Sequence, residues 1–203
     1  MRALSLFVTI LLLFSCGKPD INDVVQDGDI IFQVSESSQS KAIQLATHSK
    51  YSHCGVIFRM DDDIFVVEAI QPVQSTPLKD WIARGKEQHY VVKRLKDSDN
   101  LLKGKKMDEL KKAARIYAGK NYDLAFEWSN DKMYCSELVW KIYHRGIGLE
   151  IGKLQKLKDF DLSSPIVRKK LAERYGKNIP YNEQVISPAA IYESNLLENV
   201  ISN

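Results

Sequence analysis

Residues 132–146 read K-M-Y-C-S-E-L-V-W-K-I-Y-H-R-G, and they decide the fold. Leu138, Val139 and Ile142 recur at the spacing of one helical face, with Gly146 as a stop signal. A helix therefore begins near Cys135. Unpaired backbone N–H groups and the positive end of the macrodipole gather in a first turn. A thiol placed there loses its proton readily and becomes a nucleophile. Taken alone, a cysteine also serves as a small buried hydrophobe. The rest of the chain has to separate the two readings.

A cysteine nucleophile needs a base, usually histidine, and a third group that orients the imidazole. Of the four histidines, His144 follows Cys135 by half a helical rotation and about 13.5 Å along the axis, so it points away. His89 has no acid in its own hairpin, and His48 falls at the end of a short helix. His53 opens a strand in Y51-S-H-C-G55. If Asp61 and Asp62 form a two-residue loop, Met60 pairs with Asp63, Gly55 with Glu68 and His53 with Ile70. Paired residues share a face, as do residues two apart on one strand. Glu68 then stands diagonally beside His53. It also interrupts the apolar run F65-V-V-E-A-I70, and a carboxylate in such surroundings needs a partner. Cys54 falls on the opposite face from His53, which speaks against a disulfide between Cys54 and a cysteine that works with His53.

The chain of 203 residues is 44% hydrophobic and 27% charged, enough for one domain with a good core. A formal charge of +3 does not imply a nucleic-acid partner. The lysines from Lys103 to Lys112 are interrupted by Asp108 and Glu109 over an apolar stripe of Leu110, Ala114 and Tyr117, the pattern of a solvated helix face. There is no C-x-x-C, H-E-x-x-H, G-x-S-x-G or Walker loop, so neither a metal site nor a cofactor is expected.

The first residues, M-R-A-L-S-L-F-V-T-I-L-L-L-F-S-C, carry one positive charge and then an apolar run too short to span a bilayer, as in a signal peptide. L13-F-S-C16 resembles a lipoprotein cleavage box, though Phe14 is bulkier than usual there. The expectation is a signal over residues 1–15, Cys16 as the lipidated first residue, a tether over 16–25 and a single catalytic domain over 26–203. The mature chain would be exported and held to the cell envelope by an acyl anchor.

Strands are expected over 29–34, 53–60, 64–70 and 89–95, and helices over 38–47, 105–118 and 135–145. Ser164-Pro165 and Ser187-Pro188 supply start signals for two more helices. The class is α+β, a small antiparallel sheet packed against helices.

Several uncommon segments agree in order with one family: G28-D-I-I-F-Q33, S38-Q-S-K-A-I-Q-L-A-T-H48, Y51-S-H53, F65-V-V-E68, K120-N-Y-D123, Y134-C-S-E-L-V-W140, K177-N-I-P180 and V185-I-S-P188. Over roughly residues 26–195 the chain resembles the YiiX-like permuted papain-fold amidases, relatives of the NlpC-type cell-wall peptidases. The order His, Glu, Cys is the circularly permuted order of that family. The resemblance implies an SH3-like sheet bearing His53 and Glu68, with Cys135 at the start of a packed helix. It also implies a Cys135–His53–Glu68 amidase or peptidase of the envelope, whose substrate class includes peptidoglycan stem peptides.

Tyr51, Tyr122 and Tyr134 flank the motifs and are candidates for lining the pocket or donating to an oxyanion. Glu137 is a candidate for meeting a cationic substrate group, or else a solvent-exposed residue. Two other functions stay open. One is a lipid acyltransferase or thioesterase using the same Cys–His pair. The other is a non-catalytic envelope binding module. A large apolar channel beside Cys135 would favour lipid, and a narrow polar cleft would favour peptide. The sequence carries no signal of oligomeric state.

Overall fold

The computed structural model describes residues 19–203. The expected signal peptide and the lipidation site Cys16 lie outside the described residues. The chain runs α1 (Ile21–Val24), β1 (Ile30–Ser35), α2 (Ser40–Thr47), β2 (His53–Met60), β3 (Asp63–Glu68), β4 (Gln74–Pro77), α3 (Leu78–Ala83), β5 (Gly85–Leu95), α4 (Ser98–Leu101) and α5 (Lys105–Tyr117). It continues through β6 (Asn121–Tyr122), β7 (Lys132–Met133), α6 (Cys135–Ile147), β8 (Gln155–Lys156), α7 (Pro165–Tyr175), β9 (Gln184–Val185), α8 (Pro188–Tyr192) and β10 (Leu197–Ser202). The fold is α+β.

Six strands form one antiparallel sheet in the order β10-β5-β1-β2-β3-β4. Both faces of its centre are covered. On one face Ile30, Phe32, Cys54, Val56 and Val67 meet Leu138, Val139 and Ile142 of α6. On the other, Ile31, Ile57, Val66 and Val92 meet Leu78 and Trp81 of α3. This explains why β1 and β2 read as near-continuous apolar runs rather than alternating ones. Each fully buried Leu, Ile or Val contributes roughly 1.5–3 kcal/mol, so the α6 contact is a main support of the fold.

The β2–β3 hairpin turns through two residues, with Met60 opposite Asp63 and Val56 opposite Val67. Asp61 takes the left-handed conformation, φ 55°, which aspartate tolerates better than most residues.

Helix α6 starts at Cys135 but does not stop at Gly146. It runs to Ile147, and Gly148 is the left-handed C-cap, φ 72°. Gly146 has a different purpose. A Cβ there would lie 2.8 Å from the Leu110 Cα, so this glycine permits the close approach of α5 to α6. Of the two Ser-Pro starts, Ser187 caps α8 by accepting from the Ala190 N–H at 3.0 Å, whereas Ser164 makes no side-chain cap to α7.

Candidate active site

His53 is the first residue of β2, and Glu68 is the last of β3. Continuing the hairpin register brings Glu68 beside Gly55, one pleat from His53. Glu68 Oε2 lies 2.6 Å from His53 Nε2. The carboxylate is fully buried and therefore needs every lone pair met. Thr76 donates to its Oε1 at 2.6 Å, and Arg84 Nη2 donates to the same oxygen. Trp81 stacks on the imidazole, ring centroids 5.9 Å apart and planes within 23°. Burial alone would raise the carboxyl pKa, but the hydrogen bonds from His53 and Thr76 and the Arg84 charge outweigh it and hold Glu68 below its ordinary value.

With Nε2 held by Glu68, the imidazole presents Nδ1 to Cys135. The thiol belongs to the opposite core cluster, at the start of the helix that packs against the sheet. It lies close enough to His53 and to Cys54, at the beginning of β2, for each to act on its titration. Its sulfur is held well below the ordinary thiol pKa by the Cys54 thiol first, against burial, and then by the His53 charge. Burial opposes the charge on His53, yet Cys135 and Glu68 together raise it to about 9. Cys135 is thus pushed toward the thiolate and His53 toward the imidazolium. Cys54 is the reverse case, since burial and the neighbouring thiolate push it well up and keep it protonated.

The alternation that places Cys54 and His53 on opposite faces holds: Cys54 packs in the α6-facing cluster and His53 stacks on Trp81. Both thiols are free, so no disulfide joins Cys54 to Cys135, as expected.

The expected pocket residues divide. Tyr122 and Tyr134 line a cavity of about 100 Å³ that opens against Cys135. Tyr134 is the N-cap residue of α6, and its hydroxyl accepts from the Ile186 N–H at 3.1 Å. Tyr122 accepts from Gln39 Nε2 at 2.7 Å. Tyr51 does not line the cavity. It packs between Phe32 and Tyr192, with centroids 5.9 and 4.4 Å away. Glu137 does not meet solvent. It is fully buried, pairs with Lys141 at 2.7 Å, and is raised to about 7 by burial despite that partner. Its carboxylate reaches back to the Tyr134 N–H at 3.4 Å, a capping contact one turn into the helix.

Sequence reasoning misses Thr76, Arg84, Gln39, Arg174 and the contact of Cys54. Thr76 sits in S-T-P, which reads as a loop, and Arg84 follows a helix whose pattern is too short to see. Among the described residues no three His, Cys, Asp or Glu side chains gather as a metal site.

The family model of the permuted papain-like amidases, YaeF/YiiX, C92 family, matches residues 24–201. The chain belongs to this family. It is 52% identical over 175 residues to YiiX of Escherichia coli K12, described as uncharacterized, covering 86% of this chain and 85% of that one. It also superposes on a crystal structure titled metalloprotein yiiX from Escherichia coli O157:H7. The TM-score is 0.84 at 51% identity, over 88% of this chain and 97% of that one. The fold is thus the permuted papain-like one, and the family activity is that of a cysteine amidase or peptidase.

Proposed function

We propose that Cys135 is the nucleophile of a cysteine amidase, His53 its proton carrier and Glu68 the acid that orients His53. The observations that support this reading are the 2.6 Å contact of Glu68 with His53 and the place of Cys135 at the start of α6, where His53 lowers its pKa. The Cys135 thiolate attacks the carbonyl carbon of an amide. The oxyanion meets backbone N–H groups of the first turn of α6 and the Tyr122 hydroxyl. The imidazolium Nδ1–H gives its proton to the leaving amine, and a thioester remains. His53 then takes a proton from water, the hydroxide attacks the thioester, and Cys135 leaves as thiolate. Glu68 keeps Nε2 protonated throughout.

The relative's metalloprotein title raises a metal for this chain. The donors do not fit one. Nε2 of His53 is held by Glu68, and among the described residues no group of three His, Cys, Asp or Glu side chains is placed to hold a metal ion. No step is routed through a metal.

Resemblance to the NlpC-type peptidases favours stem peptides as substrate. The cavity favours a second reading, hydrolysis or transfer of a long acyl group. Its walls are Ala42, Ile43, Phe126, Val167 and Leu171, with Lys170 and Arg174 as its cations. An apolar wall rewards an acyl chain by about 0.8 kcal/mol per buried methylene. The envelope location, with an anchor at Cys16, completes the proposal.

Labelling with iodoacetamide near neutral pH tests the nucleophile. Rapid labelling should vanish in Cys135→Ala and slow at least about tenfold in His53→Ala. Labelling at the rate of an ordinary thiol, or mainly on Cys54, overturns the assignment. Turnover of N-acyl amides but not of stem peptides would select the acyl reading, and the converse would select the peptide one.

A further inference from the structure

Three side chains from distant parts of the sequence meet on the wall of the cavity that Cys135 also lines. Arg174 lies in the last turn of α7, Gln39 precedes α2, and Tyr122 belongs to β6. Arg174 Nη2 donates to Gln39 Oε1, and Gln39 Nε2 donates to the Tyr122 oxygen at 2.7 Å. The guanidinium is fixed from its other side by the Phe126 ring, 4.4 Å from the centroid.

The direction of this chain is forced. A guanidinium has donors and no acceptor, so it must face the oxygen of the Gln39 amide. The NH₂ end then faces Tyr122, and the phenol oxygen must accept. Its own proton is left to point elsewhere, and among the described residues it donates to no protein acceptor. Cys135 and Tyr122 line the same cavity and lie close enough to interact electrostatically.

We propose that Arg174 and Gln39 are positioning residues for acyl transfer. They turn the Tyr122 hydroxyl proton into the cavity, where it meets the oxyanion formed at the carbonyl attacked by Cys135. The inference rests on Cys135 being the nucleophile. Gln39 touches no reacting atom, and Arg174 acts through Gln39. Preorganised donors of this kind act through the transition state and leave the reactivity of the free thiolate unchanged.

That difference supplies the test. Attack on p-nitrophenyl butyrate forms an oxyanion, whereas alkylation by iodoacetamide does not. Tyr122→Phe should slow acylation by the ester about 10²–10³-fold, the usual effect of removing one oxyanion donor. Gln39→Ala and Arg174→Met should slow it roughly tenfold, with partial recovery in Arg174→Lys. Adding Gln39→Ala to Tyr122→Phe should slow it no further, because the relay acts only through that hydroxyl. Alkylation should stay within about twofold of the parent in every variant, which also shows that the site is folded. Unchanged acylation in Gln39→Ala and Arg174→Met overturns the proposal. So does an equal loss of acylation and alkylation, which would mark a structural role, or an effect additive with Tyr122→Phe. A wild-type thiol that alkylates but is never acylated overturns it too. Failure of the underlying reading looks different: Cys135→Ala would retain ester turnover.

Discussion

Gly55 leaves room for Glu68. A Cβ at residue 55 would stand 2.5 Å from Val66 Cγ1, 2.8 Å from the Val67 carbonyl oxygen and 3.4 Å from the Glu68 Cβ. The first two separations are too short for any side chain, so β2 and β3 approach at this point only because residue 55 is glycine. The same approach brings the Glu68 carboxylate 2.6 Å from the imidazole. Gly55→Ala should therefore push β3 outward. The expected cost is about 1–3 kcal/mol, seen as a fall of several degrees in Tm. Iodoacetamide labelling of Cys135 should slow in step. An unchanged Tm with unchanged labelling would mean that the strands are looser here than the distances indicate.

Much of this geometry is legible in the sequence, for identifiable reasons. The D-D loop fixes the hairpin parity, and parity alone carries Glu68 to the side of His53. The helix start at Cys135 follows from Leu138, Val139 and Ile142. What is hidden is what depends on long-range packing. Strand β4 contains S-T-P, and β10 is the polar edge segment L-E-N-V-I-S, so neither has the apolar run of a central strand. Thr76, a support of Glu68, lies on β4, and Arg84, the other, directly follows the short helix α3. Gly146 reads as a stop but is a contact point with Leu110, because one-dimensional pattern cannot tell a helix end from a helix crossing. Glu137 looks exposed from its position and is buried, because Lys141 one turn on supplies its counter-charge.

The charges of the dyad set a pH profile. Cys135 is held well below its ordinary value by Cys54 and His53 against burial, and His53 is raised to about 9. Labelling should rise as Cys135 loses its proton on the acid side and stay level through neutrality toward pH 9. The stability linkage has a definite sign. The folded pKa of His53 lies above its ordinary 6.5, so its contribution is fully present below about pH 6.5 and fades as pH rises through about 9. Glu68→Gln removes the acid that supports the imidazolium. In that variant the acid limb of labelling should move to higher pH, and labelling near pH 6 should fall roughly tenfold. A profile that climbs steadily through pH 8–9 in the parent protein, as for a free thiol, would sink the ion-pair description.

The N-terminal expectation has a direct chemical readout. If Cys16 is the lipidated first residue, cells fed a radiolabelled fatty acid should incorporate label into this protein, and Cys16→Ala should abolish it. The protein should also move from the membrane fraction to the soluble exported fraction in that variant, since the anchor is acyl chains and not a span. Equal labelling of Cys16→Ala would place any acyl group elsewhere, including on Cys135 as a catalytic intermediate. Cys135→Ala separates those two cases.

Cys54 is the residue whose effect is least expected from its place in the core. It is fully buried on the α6 face of the sheet, where any small apolar side chain would pack. Yet its thiol is the largest influence lowering Cys135. The backbone N–H of the same residue assists, in a stretch of β2 that lies beyond the last registered pair with β3, Val56 and Val67. A hydrogen bond to a charged group is worth roughly 1.5–3 kcal/mol. Cys54→Ala removes the thiol donor and keeps the N–H, so the acid limb of Cys135 labelling should move to higher pH and the rate at pH 5–6 should fall about tenfold. Cys54→Ser restores a hydroxyl donor of similar size and should recover most of that loss. The comparison separates donation from packing, because both variants remove the same sulfur from the core. If serine and alanine behave alike, Cys54 only fills space, and His53 with the α6 terminus accounts for the thiolate unaided.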